Sequence, residues 1–178
     1  MPGSLSDRLA RPADVPALRA LMDRAIARLL PAFLMPEQVE ASREIMGLDT
    51  QLIADETYFI IEVGGQIAGC GGWSRRATLF GGDHSGGRNA ELVDPRTEPA
   101  RVRAMFTDPA FVRRGVGRQI VALCEAAARA DNFKRCQMAA TLAGEPLYAA
   151  CGYRRIEDFE AVTSKGIRVP LVRMEKAL

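Results

Sequence analysis

Apolar and polar positions change period several times along this chain, and each period names an element. Leu18, Leu21, Met22, Ala25, Ile26 and Leu29 recur at helical spacing after Asp14 and Pro16, so a first helix is expected there, capped by Asp14 and stopped by Pro31. A second helix is expected from about Pro36 to Gly47, with Val39, Ile45 and Met46 turned inward. Tyr58 to Val63 is a nearly continuous apolar run, short enough for a buried strand. Gly64-Gly65 reads as a two-residue hairpin turn, and Gln66 to Trp73 as the returning strand. Gly69, Gly71 and Gly72 weaken that strand and point to a bulge or to another surface packed close. Val102, Ala104 and Phe106 alternate with Arg103, Met105 and Thr107, a two-residue period that Asp108-Pro109 ends. From Val116 the period returns to helical, through Ile120, Leu123, Cys124, Ala127 and Ala128. Further strands are expected at residues 7–11, 134–140, 153–161 and 167–175, and a short helix from Pro146 to Ala150, ended by Gly152.

Composition narrows the class. A chain of 178 residues with 48% hydrophobic content suits one domain with a substantial core. Twenty-four basic against 22 acidic residues give a net charge of +2, without the basic excess of a dedicated nucleic-acid binder. No apolar run reaches the roughly 18 residues of a membrane span, and Met1 to Asp7 lacks an apolar signal segment. Cys70, Cys124, Cys136 and Cys151 form no Cys-x-x-Cys pair and sit mostly in apolar runs. They read as reduced core thiols of a cytoplasmic protein. With His84 the only histidine, no metal is expected.

The candidate chemistry lies in the turn between the strand at 101–107 and the helix from Val116. Gly115 and Gly117 free the backbone and allow a ligand close approach, and Arg113, Arg114 and Arg118 surround the helix start. Unpaired amides and the helix dipole favour an anion there, by about 0.3–1 kcal/mol at exposed sites. The turn therefore reads as a phosphate or pyrophosphate site, against the plainer reading of a solvated charged turn. A dinucleotide fingerprint needs a glycine where Ile120 stands, and a nucleotide P-loop needs a Gly-Lys pair that the chain lacks.

Val112-Arg113-Arg114-Gly115-Val116-Gly117 resembles the Gln/Arg-x-x-Gly-x-Gly/Ala signature of the GNAT superfamily of acyl-CoA N-acyltransferases, and Leu147-Tyr148-Ala149-Ala150-Cys151-Gly152-Tyr153 adds to the likeness. The first position, Val112, departs from the signature, which bears on a side-chain role there and not on the amides. The resemblance spans about residues 7–175 and is densest over 101–156. It implies an α/β fold with a mixed, mostly antiparallel sheet and helices on both faces. It implies acetyl-CoA as cosubstrate and an amine acceptor, with the turn from Arg113 through Gly115, Val116, Gly117 and Arg118 on the pyrophosphate. The backbone of Met105, Phe106 and Thr107 would lie along pantetheine, in a gap where the strand at 134–140 splays from its parallel neighbour. An N–H in that stretch can polarise the thioester carbonyl.

Tyr148 matches the family's tyrosine beside the CoA sulfur, a general acid; from periodicity alone it is a core aromatic. Thr141 stands where many relatives carry an asparagine bonded to pantetheine, and it equally suits a turn cap. No general base is evident: Glu62, Glu91, Asp108, His84 and a water relay all stay open. Residues 74–100 read either as a mobile surface excursion or as a lid over the acceptor site, with Asp83, His84 and Arg88 as its polar candidates. In resembling proteins the acceptor site borders residues 31–40, and dimers are common, so a homodimer stands among the expectations. Two other readings are a CoA-binding regulatory or sensor module without turnover, and a nucleic-acid module using the same arginines, which a steep salt dependence would reveal.

Overall fold

A computed structural model describes residues 3–178; Met1 and Pro2, at the start of the stretch read for a signal segment, lie outside the described residues. The elements follow in the order β1 (Leu5–Leu9), α1 (Val15–Leu29), α2 (Pro36–Ile45), α3 (Thr50–Ala54), β2 (Tyr58–Val63), β3 (Gln66–Ser74), β4 (Ala100–Thr107), α4 (Val116–Ala130), β5 (Arg135–Thr141), α5 (Glu145–Ala150), β6 (Arg154–Val162) and β7 (Arg168–Ala177). The periodicity therefore located every strand, although β1 starts two residues before the expected 7–11. The five-residue α3 falls below the length at which a helical period shows.

Seven strands form one sheet in the order β1-β2-β3-β4-β5-β7-β6. Every neighbouring pair is antiparallel except β4 and β5. The glycine hairpin holds, with φ of 58° at Gly64 and 79° at Gly65, the doubly positive geometry of a type I′ turn. Asp14 occupies the N-cap position of α1 but does not cap it with its side chain. Its carboxylate instead takes two 2.8 Å bonds from Arg8 and one of 2.7 Å from the Arg11 amide.

Two apolar layers enclose the sheet. On one face α4 and α5 bury Val116, Ile120, Cys124 and Tyr148 against Ile61, Val102, Met138 and Met174. On the other, Leu18, Leu21, Ile26 and Leu52 from α1 and α3 cover Tyr58, Ile60 and Phe106. Full burial contributes about 1.5–3 kcal/mol per large apolar side chain, which accounts for the sharp helical stripes in the sequence. The β3 glycines serve this packing. A Cβ at Gly69 would lie 2.4 Å from Val116 Cγ1, and one at Gly71 would lie 2.7 Å from both Ile120 Cγ2 and Met105 Cγ. Helix α4 can sit this close to the sheet because those side chains are missing.

Candidate active site

Strands β4 and β5 pair only at Ala100–Cys136 and Arg101–Gln137. Beyond those rungs they diverge, and the main chain of Met105, Phe106 and Thr107 has no partner in β5. A bulge re-aims β4 at this point. Gly72 pairs with Arg103 and Cys70 with Phe106, so Ala104 and Met105 together face Gly71. Ala104 takes φ of 49°, and its carbonyl accepts a 2.6 Å hydrogen bond from the hydroxyl of buried Tyr58. Sequence reasoning missed Tyr58, because a tyrosine in an apolar strand carries no sign of a partner 46 residues away.

The turn after β4 is built by local rules. Asp108 bonds the Ala110 amide at 2.9 Å and Arg24 at 2.6 Å. Burial alone would raise its pKa; the Ala110 amide and Arg24 outweigh that and hold the carboxyl below its ordinary value. Arg113 and Gly115 both adopt positive φ, 63° and 84°, and Gly115 is the N-cap of α4. Gln119 is the first residue after Phe111 whose amide meets a protein oxygen, that of Gly115 at 3.0 Å. The amides of Val112 to Arg118 are thus left open, as expected of a helix start without a side-chain cap. A Cβ on Gly117 would come within 2.5 Å of Leu147 Cδ2, so this glycine lets α4 and α5 approach each other. Arg114 lies over the Phe111 ring at 5.4 Å, a cation–π distance.

These parts line one cleft of about 760 Å³. It is bounded by Arg28 to Phe33 of the α1–α2 region, by Met105–Thr107, by Val112, Arg113 and Gly115–Arg118, and by Thr141 and Tyr148. The structure thus brings together the main chain of β4, the basic turn, Thr141 and Tyr148, residues separated by as many as 43 positions (148 minus 105). Arg114 is near the turn but does not line the cleft. The Thr141 hydroxyl accepts the Gly144 amide at 3.1 Å, so it does cap the turn into α5, and its own proton remains free to donate into the cleft. Tyr148 is 9% exposed and packs edge-on against Tyr153, with ring centroids 6.3 Å apart. Burial pushes its pKa well above that of a free phenol, so the hydroxyl keeps its proton across the neutral range.

None of the four side chains considered as a base reaches the cleft. Glu62 pairs with Arg8 at 2.9 Å, and Asp108 is engaged as described. His84 Nε2 lies 2.6 Å from the Arg43 carbonyl and so donates to it. Glu91 sits exposed in the excursion.

The excursion from 74 to 100 is tied down rather than loose. Arg103, 3% exposed, reaches from β4 to Asp49 at 3.1 Å and to the Gly81 carbonyl at 2.5 Å. Asp49 also binds Arg88 at 2.5 Å and caps α3 through the Gln51 amide at 3.0 Å. Asp83 accepts from the Thr50 amide and hydroxyl, and Ser85 donates to the Glu44 carbonyl. Asp83, His84 and Arg88 are therefore anchors, and the stretch from Leu79 to Gly81 is held over a smaller chamber beside Met105 and Tyr148. Asp49 before Thr50-Gln51 was a readable cap signal; its pairing with Arg103 was not.

A family model described as an acetyltransferase (GNAT) domain matches residues 54–155. The chain belongs to the GNAT acetyltransferase family. Solved GNAT structures share the whole fold. The GCN5-related N-acetyltransferase from Rhodopseudomonas palustris superposes with a TM-score of 0.73 at 18% identity, over 100% of this chain and 98% of its own. The ribosomal-protein-alanine N-acetyltransferase from Brucella melitensis gives 0.65 at 18% identity, over 97% and 99%. The PaiA N-acetyltransferase from Thermoplasma acidophilum, solved in complex with coenzyme A, gives 0.64 at 10% identity, over 98% and 99%. No curated protein sequence matches the chain. In this GNAT chain the matched stretch contains the splayed strands, the basic turn and Tyr148, whereas α1 and the turn after it, which wall the cleft, lie before it.

Proposed function

We propose that this chain, as a single N-acetyltransferase domain, transfers an acetyl group from acetyl-CoA to a primary amine by direct attack in a ternary complex. One observation carries the reading: a single cleft is lined by the turn with open amides at Val112–Arg118, by Met105–Thr107 beside the gap between β4 and β5, and by Tyr148. The amides and the guanidinium of Arg113 suit a pyrophosphate. The main-chain edge of Met105–Thr107 that β5 leaves without a partner suits the amide groups of pantetheine and can polarise the thioester carbonyl. The amine nitrogen bonds to the carbonyl carbon, the carbon–sulfur bond breaks, and the thiolate takes the Tyr148 proton. The proton released by the amine passes to water.

A free phenol has a pKa near 10 and a free thiol near 8.5, so that protonation is uphill by roughly 2 kcal/mol in water. Burial raises the phenol further. The same surroundings disfavour a thiolate as well, so burial opposes both anions and not the phenolate alone.

A second reading, a CoA-binding regulatory module without turnover, draws support from the cavity walls. Among the residues lining the cleft and the smaller chamber there is no carboxylate and no imidazole. Free thiol measured with acetyl-CoA and a panel of amines separates the two. Amine-dependent thiol release is expected; tight CoA binding with no release from any amine would leave the regulatory reading.

A further inference from the structure

The smaller chamber, about 90 Å³, opens off the cleft at Met105, Phe106, Thr141 and Tyr148. It descends toward the apex of the wedge, where β4 and β5 meet at Arg101–Gln137. Val102 and Ala104 line it from β4, Met138 and Ala139 from β5, with Leu171 and Phe80 closing it. Its one charged neighbour, Arg103, is already engaged by Asp49 and the Gly81 carbonyl. Apart from Thr141 and Tyr148, which it shares with the cleft, its remaining walls are apolar side chains and glycine, a lining that suits carbon rather than water.

Resting on the acyl-transfer reading, we propose that this chamber receives the acyl chain of the donor and extends the enzyme's range to three- and four-carbon acyl groups. The order along the wedge supports this occupant. A thioester arm entering from the basic turn passes Thr107 and Met105 before reaching the apex, and its last part is the acyl tail. Size supports the length. A water's share of liquid volume is about 30 Å³ and a dry cavity of about 150 Å³ takes benzene. The chamber's 90 Å³ corresponds to roughly three such units, more than the single methyl of acetyl. The roof is fixed by the Asp49–Arg103–Arg88 anchor, so the volume does not simply collapse.

Calorimetric titration of the full chain with CoA, acetyl-, propionyl-, butyryl- and hexanoyl-CoA tests this without an identified amine. Affinity is expected to rise several-fold to about tenfold per added methylene through butyryl, then to fall at hexanoyl. In Ala139→Val, which fills the chamber from β5, the gain from acetyl to butyryl should vanish while acetyl-CoA binding stays within about twofold. An unchanged profile in a variant that melts like the parent overturns the proposal. So does a series that is flat or falls from acetyl onward in the parent, a result that decides the matter even if the variant does not fold. Failure of CoA itself to bind would overturn the acyl-transfer reading along with it, and is distinguishable from a flat series.

Discussion

The Tyr58 hydroxyl holds the Ala104 carbonyl at 2.6 Å, so a side chain from the first residue of β2 fixes the bulge of β4. Ala104 has φ of 49°, a region a non-glycine residue occupies only when its surroundings insist. The bond therefore links the rigid core to the main chain that faces the cleft.

Removing that hydroxyl while keeping the ring tests the link. Tyr58→Phe leaves the Ala104 carbonyl without its partner, which costs about 1–3 kcal/mol for a buried acceptor. Chemical denaturation should report that loss. If Met105 works through its placement, kcat with any competent amine should drop by more than the change in CoA affinity. An unaltered kcat beside a clear loss of stability would confine Tyr58 to the core.

Tyr148→Phe should lower kcat by about ten- to a thousand-fold and leave CoA affinity nearly untouched, the usual scale for a general acid. The pH profile gives a second reading. The active form is the protonated phenol, and burial raises its pKa above the ordinary value near 10. Its ionisation should therefore cause no loss of kcat below about pH 10, and the decline belonging to it should come at higher pH and vanish in the variant. Full turnover in Tyr148→Phe would remove the assignment.

Charge at the turn can be reversed without touching the wedge. Arg113→Glu with Arg114→Glu should raise KM for the acyl-CoA more than KM for the amine, because the open amides of Val112–Arg118 face a repelled anion. Initial-rate kinetics in both substrates check the order, and a larger effect on the amine would place the anion elsewhere.

The excursion offers a stability test. Asp49→Ala strips Arg103 and Arg88 of their carboxylate and α3 of its cap. Leaving the buried Arg103 unpaired should cost about 3–5 kcal/mol. Limited proteolysis should then cut first between residues 81 and 88, which the parent protects through Asp83, His84 and Ser85. Equal cleavage rates in parent and variant would show that the anchor does not hold the loop.

Much of the site was legible before folding. Gly115, Gly117 and their arginines stand at a change of period from strand to helix, and that junction leaves amides open by local geometry alone. The role of the β3 glycines was half legible: close packing was expected, but not that Val116 and Ile120 were the groups to be accommodated. The excursion stayed open between a mobile stretch and a lid, because a segment rich in glycine and polar residues does not show that its anchors at Asp49, Arg43 and Glu44 come from elsewhere in the chain.

The sequence by itself determined the elements, the hairpin at Gly64-Gly65 and the basic turn, since each depends on neighbours within a few residues. Only the tertiary structure decided that β4 and β5 part after two rungs, that Tyr58 pins Ala104, and that Tyr148 lines the same cleft as Gly115. Those relations join residues tens of positions apart. Periodicity shows which way a side chain faces, but which distant group it meets is set by how the layers pack.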